Sequence, residues 1–366
     1  WERFLMPAGS LAARNGAFEI VLAEPMEEVC YLDAVSMEIW DLPPGWFMAI
    51  DERMGTGDPA PTGQAMFYRH SAAPRHVTSK AGEIVTEAAL AADGVPIDPG
   101  PLDLRFIGRV LEPHDITIEF EQPISAGHGM PMLLLDGWVE YPYSQTMFAA
   151  WQAGATYDPP SVLAQRGDGS WEEVLHHVGY PAGMPRQMVI PLPTLPAGCR
   201  RLRVVTDLQV YWDRIKLAWA EPCKEARRSI RIPQEATVFV PGFPDRTTDV
   251  WFRPDYDWSH CIPLWDTRAQ RGLYTNLATG GATDLVATVD RSVAIFGTGE
   301  AVRILIPDGA EPVEAGWTRH HVLDLAGWCK DMDLANLEGE TVGPLPGGPD
   351  ASGLNAAKNT RFRSGW

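Results

Sequence analysis

Residues 201–219 read RLRVVTDLQVYWDRIKLAW, and apolar and polar positions alternate through most of the stretch. Leu202, Val204, Thr206, Leu208, Val210 and Trp212 share one parity. After Asp213 the parity moves by one, and Ile215, Leu217 and Trp219 take over. A period of two means a strand with one buried face, and a change of parity means a turn or bulge between two strands. Trp212 is large enough to anchor a core where the chain changes direction. The stretch predicts the closing strands of an antiparallel β-sandwich.

The same signal recurs on both sides of it. GAFEIVLAEP (16–25) and EEVCYLDAVSMEIWDLPPGW (27–46) are strand patterns punctuated by Asn-Gly and Pro-Pro-Gly. Residues 51–101, rich in Gly, Pro and Ala, read as a connecting arm, in which GEIVTEAALAADG (82–94) predicts a short helix stopped by Gly94. Strand signals then return in HDITIEFEQP (114–123) and RQMVIPLPTLP (186–196). MLLLDGWVEYPYS (132–144) carries the continuous apolar run of a strand buried on both faces. PSVLAQRGDGSWEEVL (160–175) predicts a hairpin turning at Gly-Asp-Gly. Beyond residue 222, ATVFVPGFP, TDVWFRPDYDW, DRSVAIFG, AVRILIPDG and WTRHHVLDLAGWCKD continue the series. HDITIEF…MLLLDGW and EAVRILIP…HHVLDLAGW form a faint repeat that either a shared hairpin geometry or a duplication explains.

The expected fold is therefore all-β, built of antiparallel, jelly-roll-like sandwich domains with long loops and few short helices. The expected divisions are an N-terminal β region with its arm (1–103), a β-sandwich (104–222), a second sandwich-like region (223–342) and an extended C-terminal arm (343–366). The arm ends in Arg361, Phe362, Arg363 and Trp366, which predicts contact with the body of the chain or a neighbour.

Composition narrows the classes of function. The 366 residues are 45% hydrophobic and 21% charged, which excludes a disordered chain. A formal net charge of −18 argues against nucleic acid as a partner. No run approaches the roughly 20 apolar residues that span a membrane. The chain opens WERFLMPAG without Met or a signal peptide, so it is expected to follow a processing site or to be a fragment. Cys30, Cys199, Cys223, Cys261 and Cys329 show no metal-ligand spacing, and an odd set leaves room for one or two disulfides at most.

EEVCYLDAVSMEIWDLPPG resembles a segment of large bacterial secreted proteins that combine FG-GAP repeats with an ASPIC/UnbV segment, as cartilage acidic protein-like proteins do. LLLDGWVEYPYS, PPSVLAQRGDGSW, VYWDRIKLAW, GLYTNLATGGATDLVATVDRSVAIFGTGE and EAGWTRHHVLDLAGWCKDMDLAN follow in the order of that family's C-terminal region. The resemblance implies an extracytoplasmic (periplasmic or secreted) β-rich module and brings no catalytic residues. The family's Asp-rich propeller loops, which hold calcium, are absent from this chain.

The candidate chemistry is sparse. His176-His177 and His320-His321 would point to opposite faces of a strand, which makes each pair a poor chelate. The RGD of residues 166–168 falls at a hairpin tip, where a turn requires Gly-Asp-Gly for backbone reasons alone. No GxSxG elbow occurs, and GTGE (297–300) lacks the Lys and helix of a phosphate loop. Trp138, Trp151, Trp171 and Trp212 are core residues or sugar-stacking platforms. The one candidate ion site is KDMDLANLEGE, where Asp331, Asp333, Asn336, Glu338 and Glu340 offer oxygens for calcium, though without EF-hand spacing. Two classes of function remain. One is a non-catalytic, extracytoplasmic binding or assembly module within a larger protein or complex; the other is a carbohydrate-binding or carbohydrate-active protein.

Overall fold

The computed structural model describes residues 2–55, 59–125, 129–181, 185–263, 270–278, 281–309, 311–333, 335–345 and 353–364. The chain opens with β1 (Glu2–Leu5), β2 (Ala17–Glu24) and the long β3 (Glu28–Leu42). Then come β4 (Phe47–Ile50), β5 (Ala65–Ala72), β6 (His76–Ser79), β7 (Arg109–Glu119), β8 (Met130–Val139) and helix α1 (Ser144–Gln152). They are followed by β9 (Ser161–Gln165), β10 (Trp171–Leu175), β11 (Arg186–Pro191), β12 (Arg201–Leu208) and β13 (Val210–Ala220). The rest comprises β14 (Arg227–Arg231), β15 (Glu235–Phe239), β16 (Phe243–Thr248), β17 (Pro254–Ile262), β18 (Gly272–Tyr274), β19 (Ala294–Gly297), β20 (Glu300–Pro307), β21 (Thr318–Asp331), helix α2 (Leu354–Lys358) and β22 (Arg361–Arg363). The fold is all-β and antiparallel, as the alternation predicts.

The chain forms two compact units. Unit 2 comprises Gly45–Lys224 with Thr248–Arg253, and unit 1 comprises Trp1–Pro44, Glu225–Thr247 and Pro254–Trp366. These divisions differ from those expected at 103/104 and 222/223. The reason is pairing: β4 and β5 extend the sheet that contains β13, and β6 pairs with β7. Residues 51–101 thus supply the inner strand β5 and the edge strand β6 as well as connections.

In unit 2 the sheet β10-β9-β12-β7-β6 faces the sheet β11-β8-β13-β5-β4 across one core. That core holds Ile116, Ile118, Val162, Leu202 and Val204 from one side and Leu133, Leu135, Trp212, Ile215 and Leu217 from the other. The remaining parity of β8, Met132 and Leu134, lies in a second cluster with Ala49, Tyr68, Val189 and Ala218. β8 is therefore buried on both faces, which accounts for its unbroken apolar run. The chain passes between the sheets at Gln209, and the parity change after Trp212 is a bulge between Trp212 and Arg214. The carboxylate of bulged Asp213 accepts the backbone N–H groups of Asp93 and Gly94.

In unit 1, β1-β21-β3-β14, with β19 also on β3, packs against β15-β20-β2. Ile20, Val35, Met37, Val302, Ile304 and Leu323 lie in the core between them. A smaller cluster with Val29, Tyr31, Tyr274 and Ile295 covers the other face of β3. The two repeat-like segments are not hairpins. β7 and β8 lie in different sheets, as do β20 and β21, so each loop arches from one sheet to the other. The helix expected over 82–94 is only a single 3-10 turn at Glu87–Ala89.

Candidate functional site

The acidic loop after β21 is only partly gathered. Asp333, Asn336, Glu338 and Glu340 line one open depression. The Asp333 carboxylate, however, accepts the backbone N–H groups of Ala335 and Asn336, at 2.7 and 3.1 Å. Asn336 donates its side-chain amide to the Asp331 carbonyl. Asp331 itself is the last residue of β21, opposite Glu28 on β3, and is not among the residues that line the depression. Among the described residues no three of these carboxylates converge within 4.8 Å.

The other candidates resolve into local structure. His320 and His321 lie on opposite faces of β21, and burial lowers the pKa of both. His176 and His177 follow the end of β10, and their rings stack 3.7 Å apart instead of pointing to opposite faces. His177 takes a φ of +46°, which breaks the strand geometry on which that expectation rested. In the β9–β10 turn, Arg166 binds Glu172, and Asp168 accepts the N–H and hydroxyl of Ser170. Trp138 and Trp212 are buried, Trp171 lies under the Arg203 guanidinium, and Trp151 is exposed.

Two sites stand out that the motif reading did not compose. The first is the outer face of α1 in unit 2. Met147, Phe148 and Trp151, three and four positions apart, lie on one side of the helix. They are 47%, 50% and 72% exposed, and the Phe148 and Trp151 rings stack at 5.8 Å. Ala150, three positions after Met147 and flanking this face, is the buried residue of the helix. The loop before β7 is tied to both sides of the helix, since the Thr146 hydroxyl accepts Ile107 N–H and Tyr157, beyond the helix end, donates to the Ile107 carbonyl. That loop carries exposed Leu104 and Ile107.

The second site is a cluster of thiols and carboxylates in unit 1. β3 and β21 pair with Cys30 opposite Cys329 and Glu28 opposite Asp331. Period-two alternation puts these four side chains on one face of the ladder, while Tyr31 and Trp328 stack on the other at 5.5 Å. The register depends on a bulge between Ala326 and Gly327. A Cβ on Gly327 would lie 2.5 Å from the Tyr31 carbonyl oxygen, so only glycine fits there. The Cys30 and Cys329 sulfurs are 2.9 Å apart. Buried Glu24, the last residue of β2, brings Oε2 to 3.5 Å from Cys30 Sγ, while its Oε1 accepts Met26 N–H at 2.6 Å. Burial, and then the charges of Glu24 and Asp331, push the Glu28 carboxyl up to about 8. Burial also raises Glu24, against the Met26 hydrogen bond, and the Cys329 hydrogen bond followed by burial raises the Cys30 thiol. Sequence spacing could not reveal this set, because its two sulfurs are 299 residues apart. The available signal was register: two long strand patterns, each with a Cys two residues from an acidic residue.

No protein-family model matches the chain, and no curated protein matches it. Among the described residues no helix is long and apolar enough to cross a membrane.

Proposed function

We propose that the chain is a non-catalytic binding and assembly module that works outside the cytoplasm as part of a larger protein or complex. The observation that carries this reading is the α1 face, where Met147, Phe148 and Trp151 stand exposed side by side on a helix anchored by buried Ala150. Large apolar side chains side by side on a surface lose free energy by being covered, and aromatic residues with Met are enriched at interface centres. The partner is accordingly a protein with an apolar, complementary surface. The resemblance to the C-terminal region of FG-GAP and ASPIC/UnbV proteins supports the extracytoplasmic setting.

A carbohydrate-binding protein is the second reading, favoured by the nearly parallel Phe148 and Trp151 rings. Met147 beside them makes the face more apolar than a sugar platform requires. To separate the readings, the chain is fractionated by size from the cells that make it. The assembly reading expects it in a larger complex, and Phe148→Ser with Trp151→Ser should shift it to its own mass. Migration at its own mass in both forms, with glycan-array binding lost in the double variant, would replace assembly with carbohydrate binding.

A further inference from the structure

We infer that Glu24, Cys30 and Cys329 form a binding site for a divalent d-block cation of the zinc type. Their ligand atoms all lie within 4.8 Å of one another, the only such group of His, Cys, Asp and Glu among the described residues. A tetrahedral zinc ion with a Zn–S distance near 2.3 Å holds two sulfurs about 3.8 Å apart, and a sulfur and a carboxylate oxygen about 3.6 Å apart. The Glu24–Cys30 separation is already 3.5 Å, and the two sulfurs, at 2.9 Å, need to part by less than about 1 Å. Calcium would not choose this set, since it takes oxygen ligands, whereas thiolates select softer ions.

The surroundings are those of a ligand set held in place. Met26 N–H fixes the second oxygen of Glu24. Such outer contacts orient metal ligands and tune their affinity. Sheet register sets the two cysteines opposite each other, and Glu24 comes from β2 of the facing sheet, so all three ligands stand on strands and not on a flexible loop. Glu24 is buried and Cys329 exposed, which leaves an entry path on the Cys329 side and a fourth position for water. On binding, each thiol gives its proton to solvent and its sulfur to the ion, so affinity rises with pH.

The test uses the whole chain, reduced and stripped with chelator, with Co²⁺ as the optical probe and Zn²⁺ as competitor. The wild type should develop thiolate charge-transfer bands that saturate at one ion per chain and disappear on adding Zn²⁺. Cys30→Ser and Cys329→Ser should each lose those bands, with far-ultraviolet circular dichroism unchanged. Glu24→Gln should keep the thiols yet bind at least about tenfold more weakly, and it carries the test should a Cys variant fail to fold. Wild-type protein with both thiols free and no charge-transfer bands would overturn the site. Bands that persist in both serine variants would place the ion on Cys199, Cys223 or Cys261 and overturn it equally. A Cys30–Cys329 disulfide in the isolated protein, with no ion bound after reduction, would make the pair a redox bridge instead.

Discussion

Trp212 is fully buried in the unit 2 core beside Leu135, and its carbonyl accepts Ile97 N–H at 2.7 Å. Trp212→Ala should cost about 3–5 kcal/mol through lost burial and the cavity it leaves. A denaturant melt shifted by under about 1 kcal/mol would contradict that placement. The side chain was legible because parity alone assigns it to the core. His114 was not, since an alternating strand shows a polar residue without showing its surroundings. Burial pushes its pKa down to about 4, against the hydrogen bond to Leu208, with Lys80 and Asp98 the charges acting on it. An unfolded His titrates near 6.5, so folding keeps His114 neutral while the unfolded chain takes up a proton. Its contribution is complete above about pH 6.5 and is lost as pH falls toward 4, amounting to up to about 3 kcal/mol. The melting temperature of the wild type should therefore fall more steeply over that window than that of His114→Gln. Parallel profiles would show that His114 is solvated. Cys30 and Cys329 mark the same boundary of legibility, since residue types are visible in the sequence and strand register is not.

At the scale of elements, strands with strong alternation were readable, and departures arose where tertiary bonds claimed the backbone. The GEIVTEAALAADG stretch of residues 82–94, ending at Gly94, predicts a helix. Instead Ser79 N–H bonds Glu83 O, Val85 N–H bonds Val77 O, and Thr86 Oγ1 accepts Val77 N–H. Those bonds hold residues 83–86 against β6 and leave a single 3-10 turn. The C-terminal segment shows the converse. Little in its Pro, Gly and Asn content advertises packing, yet β22 pairs with β18, and Asn355 and Asn359 are buried. Arg361 and Arg363 both reach buried Glu300, at 2.8 and 3.3 Å. Phe362 is exposed, and Trp366 lies outside the described residues. Asn359 donates to the Val293 carbonyl and accepts from Thr275 Oγ1, so Asn359→Ala strands both partners. We expect that variant to lose about 1–3 kcal/mol and to release the segment to limited proteolysis. Unchanged stability and cleavage would mean the segment is not anchored there.

For the whole molecule, the chain leaves unit 1 after β3 and re-enters it at β14, where Asp41 and Arg227 are register partners. Residues 45–224 of unit 2 are thus inserted between two register-paired strands of one unit 1 sheet, a topology that no local pattern encodes. Every residue of both unit 2 clusters lies between 45 and 224. A fragment spanning 45–224 should accordingly melt cooperatively with β-type circular dichroism, and a non-cooperative melt would show that unit 2 depends on the rest of the chain. The function proposed for the chain rests on one face of that unit. Its most direct test is a photo-crosslinking amino acid placed at Trp151, with the exposed Leu337 position as control, in the cells that make the protein. The assembly reading predicts one discrete protein adduct from position 151, absent from 337 and lost when Phe148→Ser is added. Equal, diffuse crosslinking from both positions would contradict it.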